Sequence, residues 1–131
     1  MEHAFEVYHE NRMVFHSDKN WIYPLFEFED FILENGVETK ELFVRDKVIG
    51  RAAALILVYF KIIKIHAKTL SRLGQEILDL YQITYTYDKL IDRIYCQTEV
   101  LLADISDPAK AYPILKERAS KNQKTDPANL P

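Results

Sequence analysis

From Glu41 to Leu70 the chain reads ELFVRDKVIGRAAALILVYFKIIKIHAKTL, two short apolar runs on either side of a stretch that is apolar in every direction. Lys47 to about Phe60 reads as a central helix. Ala52, Ala53 and Ala54 allow close approach, while Leu55, Ile56, Leu57, Val58 and Tyr59 cover the remaining directions, as in a helix buried on nearly every side. Before it, Glu41 to Arg45 reads as a short strand. After it, Ile62 to Lys68 alternates, with Ile63, Ile65 and Ala67 on one side and Lys64, His66 and Lys68 on the other. Strand, helix and strand at this spacing predict a right-handed crossover between parallel strands.

The flanking segments extend this unit. Phe5, Val7, Met13 and Phe15 alternate with polar residues about Glu10-Asn11-Arg12, a hairpin pattern. Tyr8 and Val14 offer a second apolar face, so its register stays open. Ser17 to Asn20 breaks the pattern, and a helix follows from Trp21 or Pro24. It carries Leu25, Phe28 and Ile32 on one stripe, Glu27, Glu29 and Asp30 near its start, and Gly36 as its stop. Ser71 caps a helix to about Tyr81 with Leu73, Ile77 and Leu80 inward, and Ile83 to Tyr87 supplies a fifth strand. Lys89 to Tyr95 reads as a helical turn and Glu99 to Ala103 as a short helix. Asp107-Pro108 opens a last helix towards Ala119, which Pro113 should kink or split. This makes one domain over residues 1–119 and a flexible tail over 120–131.

Composition narrows the function classes. A chain of 131 residues, 48% hydrophobic, fits one domain with one core. A net charge of -3 argues against the broad basic face that duplex nucleic acid requires. The longest apolar run, Ala52 to Phe60, falls far short of the ~20 residues of a membrane span. The opening MEHAFEVYHE does not read as a secretory signal, and Cys96 alone cannot form an internal disulfide. A cytoplasmic protein without a membrane partner is expected.

The order of elements, with DKVIGRAAALILVY at Asp46 to Tyr59 and YDKLIDRIYC at Tyr87 to Cys96, resembles an uncharacterised domain family placed with the cytidine-deaminase-like fold. The resemblance covers about residues 5–118, and DKVIGRAAA is its most specific piece. It implies a three-layer α/β/α sandwich with a mixed five-stranded sheet and a helical C-terminus, and it implies no established activity. Zinc deaminases need a His or Cys ligand and an acid-base Glu where the central helix begins, and Pro-Cys-x-x-Cys opening the next. Those places here read Ile49-Gly50-Arg51-Ala52 and Leu70-Ser71-Arg72-Leu73. Zinc-dependent deamination, and any metal or cofactor, are therefore not expected.

Two helices starting beyond adjacent parallel strands bring free N–H groups to the crevice where α/β sheets bind ligands. Arg45, Lys47, Arg51, Lys68 and Arg72 cluster around those junctions. One reading is a site for a small anionic or nucleotide-like ligand built from Asp46, Lys47, Gly50, Arg51, Ser71 and Arg72. In it Arg51 and backbone N–H groups hold the anion, and Gly50 lets the ligand approach. The plain alternative is local pairing of Arg45 with Asp46, packing of Gly50 and solvated cations. Cys96 is a candidate nucleophile, with Arg93 or a helix start to lower its pKa and Asp88 and Glu99 as acid-base partners, or else a small packed thiol. His9 and His16 flank the hairpin turn but lack a third ligand, and read as surface histidines; His66 reads as structural. Trp21, Tyr23 and Phe26 are either core or an exposed aromatic patch. With a free sheet edge, such a patch would serve a homo-oligomer.

Overall fold

The computed structural model describes residues 1–125. Among them, five strands form one mixed sheet in the order β2-β1-β3-β4-β5. β1 (Phe5–His9) and β2 (Arg12–Ser17) make the hairpin. It turns on Glu10 and Asn11, both left-handed at φ 51 and 66, which suits the twist of the strands they join. β1 lies antiparallel to β3 (Leu42–Ile49), and β3, β4 (Lys64–Ser71) and β5 (Thr84–Ile91) are parallel. The hairpin's apolar face is the one bearing Phe5, Val7 and Phe15; Val14 is exposed.

α1 (Tyr23–Asn35) starts with Pro24 in its first turn and ends at Gly36, left-handed at φ 61. α2 (Arg51–Tyr59) and α3 (Arg72–Leu80) are the crossover helices, and α4 (Gln97–Leu101) and α5 (Pro108–Thr125) follow β5. Ser71 caps α3, its Oγ accepting the Gly74 N–H at 3.0 Å. The molecule is a three-layer α/β sandwich. α1, α2 and α3 pack on the sheet face that carries Phe5, Val7, Val44 and Ile65, and α5 lies across α2. Ala52 to Leu57 are buried as a block, which explains why that stretch has no polar stripe. Burying each of Leu55, Ile56 and Leu57 is worth about 1.5–3 kcal/mol. α5 is held down by Tyr112, stacked on Tyr59 at 4.3 Å, and by Tyr112 and Lys116, which both donate to Glu29 of α1.

Several boundaries differ from expectation, and strand pairing is the cause. β3 continues past Arg45 to Ile49 because it stays paired with β4 as far as Ile49 opposite Leu70. Asp46 and Lys47 are thus strand residues, and the helix expected from Lys47 begins at Arg51. β4 runs from Lys64, not Ile62, and reaches Ser71. β5 absorbs Lys89 to Ile91, expected as a helical turn, because Lys89, Leu90 and Ile91 pair with Thr69, Leu70 and Ser71. α4 begins at Gln97 and ends at Leu101, earlier at both ends than expected. On α3 the inward residues are Ile77 and Leu78, and Leu80 is exposed. Pro113 neither splits nor ends α5. It stands on the exposed side with Ala109, so water can satisfy the carbonyl that loses its donor. α5 passes residue 119 and reaches Thr125; residues 126–131 of the expected tail lie outside the described residues. Among the described residues no helix is long and apolar enough to cross a membrane.

Candidate functional site

At the C-terminal end of β3, beneath the start of α2, lies a cavity of about 350 Å³. Its wall is mostly apolar, with Trp21, Ile22 and Pro24 on one side and Ala52, Ala53, Val48 and Ile94 on the others. Asp46, Lys47, Gly50, Cys96, Thr98 and Glu99 add the chemistry, and Asp18 and Lys19 stand at its edge.

Asp46 is the unusual member. It sits opposite Phe5 on β1 and Ala67 on β4, so its side chain belongs to the apolar, helix-covered face of the sheet. What surface it keeps opens on the cavity. Burial pushes its carboxyl from an ordinary 3.8 up to about 8, against the opposing pull of the Val48 and Lys47 N–H groups. Burial thus favours the protonated carboxyl, which both donates and accepts a hydrogen bond.

Glu99 occupies the place reserved in the sequence reading for a ligand. Its Oε1 accepts the Arg51 N–H at 2.6 Å and its Oε2 the Ile94 N–H at 2.8 Å. Gly50 supplies no side-chain cap, so Glu99, 1% exposed, caps α2 from a distant part of the chain. Only the first N–H is taken. Those of Ala52 and Ala53, which a helix start leaves without intrahelical partners, belong to residues on the cavity wall.

The expected site residues therefore separate. Asp46, Lys47 and Gly50 line the cavity. Arg51 does not hold an anion: its side chain is a buried strut, donating to Ile105 O (3.0 Å), Leu73 O (3.0 Å), Glu76 Oε1 (2.8 Å) and Ser106 Oγ (3.0 Å). Ser71 is spent on capping α3, and Arg72 pairs at the surface with Asp92 at 3.4 Å. What approaches Gly50 is the chain itself; a Cβ there would lie 2.7 Å from Ile94 Cδ1 and 2.9 Å from Glu99 Oε1. Cys96 is half-buried on the cavity wall, its Sγ 3.2 Å from Thr98 Oγ1, which also receives Trp21 Nε1 at 3.4 Å. It is the N-cap of α4, the helix start expected beside it, while its other expected partners are engaged. Glu99 caps α2, Asp88 meets His66 at 3.3 Å, and the Arg93 guanidinium lies over Tyr95. His66 also bonds Thr86 Oγ1 at 2.6 Å, a structural role. His9 and His16 do not face each other: His9 opposes Arg12 and meets Glu41 at 3.3 Å, while His16 stacks on His3. Trp21, Tyr23 and Phe26 form no exposed patch, since Tyr23 is buried and the other two pack against the core.

A family model for TM1506, a domain of unknown function (DUF1893), matches residues 2–119. The chain belongs to the DUF1893 family. A crystal structure of a DUF1893 family protein (TM1506) from Thermotoga maritima is similar at a TM-score of 0.78 and 24% identity, over 88% of this chain and 80% of that one. No curated protein matches the sequence. The likeness speaks for the fold, and the chemistry of this DUF1893 domain has to be read from its own cavity. Two parts of that cavity were hidden in the sequence, the capping role of Glu99 and the inward setting of Asp46. The signals that could have exposed them were a helix start without a capping side chain and an acid in phase with Leu42 and Val44 on β3.

Proposed function

We propose that the cavity binds a nucleoside or nucleotide, with the base inside and any phosphate at the edge, and that the domain is a binding module without zinc-dependent deaminase chemistry. The observation that carries this is Asp46, a carboxyl kept protonated to about pH 8 in a mostly apolar cavity of about 350 Å³. A neutral carboxylic acid presents a donor beside an acceptor, the complement of the amide-like edge of a purine or pyrimidine. The volume falls in the range of small-ligand pockets. Lys47 and Lys19, the latter paired with Glu27 at 3.4 Å, are the cations that line the cavity and would meet a phosphate; Arg51 and Arg72 do not line it.

The test is a titration of nucleosides and mononucleotides, followed by calorimetry and by thermal unfolding at about pH 7. Base-bearing compounds should bind and inorganic phosphate alone should not. Asp46→Leu should weaken binding by about 10-fold or more, the cost of a lost buried hydrogen bond to the ligand. Absence of binding at millimolar concentration, or full affinity in Asp46→Leu, would reject the proposal.

The covalent reading draws on the place of Cys96 on the cavity wall and at the start of α4. Cys96→Ser discriminates: ligand affinity should be unchanged in a binding module, whereas a nucleophile's turnover would vanish. The sheet edges open to a homo-oligomer are β2 and β5.

A further inference from the structure

His3, His16 and Asp18 offer ligand atoms that all lie within 4.8 Å of one another, on segments that no local sequence pattern joins. Three contacts assemble them. Glu6, 1% exposed, accepts the N–H groups of Glu2 and His3 at 3.2 and 3.1 Å, which fastens the start of the chain over the sheet. Glu6 also pairs with His16 across the hairpin, which sets that ring beside His3; the two stack with centroids 3.9 Å apart. Asp18, just beyond β2, reaches His3 Nδ1 with both oxygens, at 3.0 and 3.1 Å.

We infer that His3, His16 and Asp18 form a binding site for one divalent transition-metal ion at the edge of the cavity. Two imidazole nitrogens and one carboxylate oxygen are a borderline donor set, suited to Zn²⁺, Fe²⁺, Co²⁺ or Ni²⁺ and poorly suited to Mg²⁺ or Ca²⁺. Three protein ligands leave coordination positions open. Asp18 is shared with the cavity lining, so the ion would stand where a cavity ligand could reach it. Because a ligand nitrogen bonds in the plane of its ring, the stacked rings must turn out of parallel to share an ion. Asp18, with its side chain 67% exposed, and His3 at 22% are free enough for that turn. The ion would take the place of the contact between His3 Nδ1 and the Asp18 carboxylate. None of its three ligands comes from the α2 or α3 start, where a deaminase would carry zinc.

The test uses the full chain without an affinity tag, stripped with EDTA and titrated with ZnCl₂ by calorimetry, with Co²⁺ absorption reporting the coordination. The expected result is one Zn²⁺ per chain. His16→Ala or Asp18→Asn should lower affinity about 100-fold or more, since even outer-shell partners cost up to that order. His9→Ala, whose imidazole meets Glu41 elsewhere, should leave it unchanged. No stoichiometric binding, or equal affinity in His16→Ala and Asp18→Asn variants that melt like the parent, overturns the inference. These titrations contain no nucleoside, so the outcome is independent of the ligand proposed for the cavity.

Discussion

At the scale of single residues, Asp46 and Arg51 carry the sharpest consequences. Asp46 holds its proton up to about pH 8 in the folded protein, but only to about 3.9 when unfolded. Between those values the native state binds more protons, so stability falls as pH rises. The contribution is complete below about pH 4 and lost through about pH 8. Asp46→Asn, neutral at every pH, should flatten that decline and exceed the parent in stability at about pH 9. Urea midpoints across the range check this; parallel curves for the two proteins would mean the folded carboxyl is ionised. Arg51 is the opposite case, a charge whose buried hydrogen bonds tie α2 to α3 and to the loop before α5. Arg51→Met should cost about 1–3 kcal/mol by removing four part-buried hydrogen bonds that hold α2, α3 and the loop before α5 together, read as a lowered urea midpoint. The sequence reading placed both residues at the ligand site, but the cation is structural and only the acid lines the cavity. Only the strand register and the partners from residues 73–106 distinguish them.

At the scale of elements, the β3–α2 and β4–α3 junctions fit together through Gly74. A Cβ at that position would meet the Gly50 carbonyl carbon and oxygen at 2.9 Å. Backbone cannot yield as a flexible side chain can, so Gly74→Ala should destabilise by about 1–3 kcal/mol, measured by denaturant unfolding. α5 offers a gain instead. Pro113→Ala restores the N–H that Ala109 O lacks on an exposed helix face, and should stabilise by about 1–3 kcal/mol, seen as a higher Tm. A lower Tm would mean that the ring's own contacts outweigh the restored bond. The hairpin, the three parallel strands, the crossover helices and the Ser71 cap were legible from periodicity and punctuation. The ends of β3 and β5 were not, because strand length is set by the partner strand's ladder and the sequence holds no local stop for it.

At the scale of the whole molecule, the cavity lets binding be read through stability. A ligand that binds only the folded state at about 100 times its Kd adds about 2.7 kcal/mol, so a true cavity ligand should raise Tm by several degrees. A shift in Asp46→Leu equal to the parent's would place the ligand elsewhere. The sequence by itself determined the α/β class, the parallel crossover and the burial of α2. These follow from local periodicity and from the absence of any polar stripe between Ala52 and Leu57. Tertiary structure alone decided the site. Glu99 caps α2 across 48 residues of chain, α4 and the segment before it close the cavity, and the end of β2 meets the chain start to bring Asp18 beside His3. Such contacts depend on chain paths that converge only after the sheet has formed, and no local pattern encodes where two distant segments will meet.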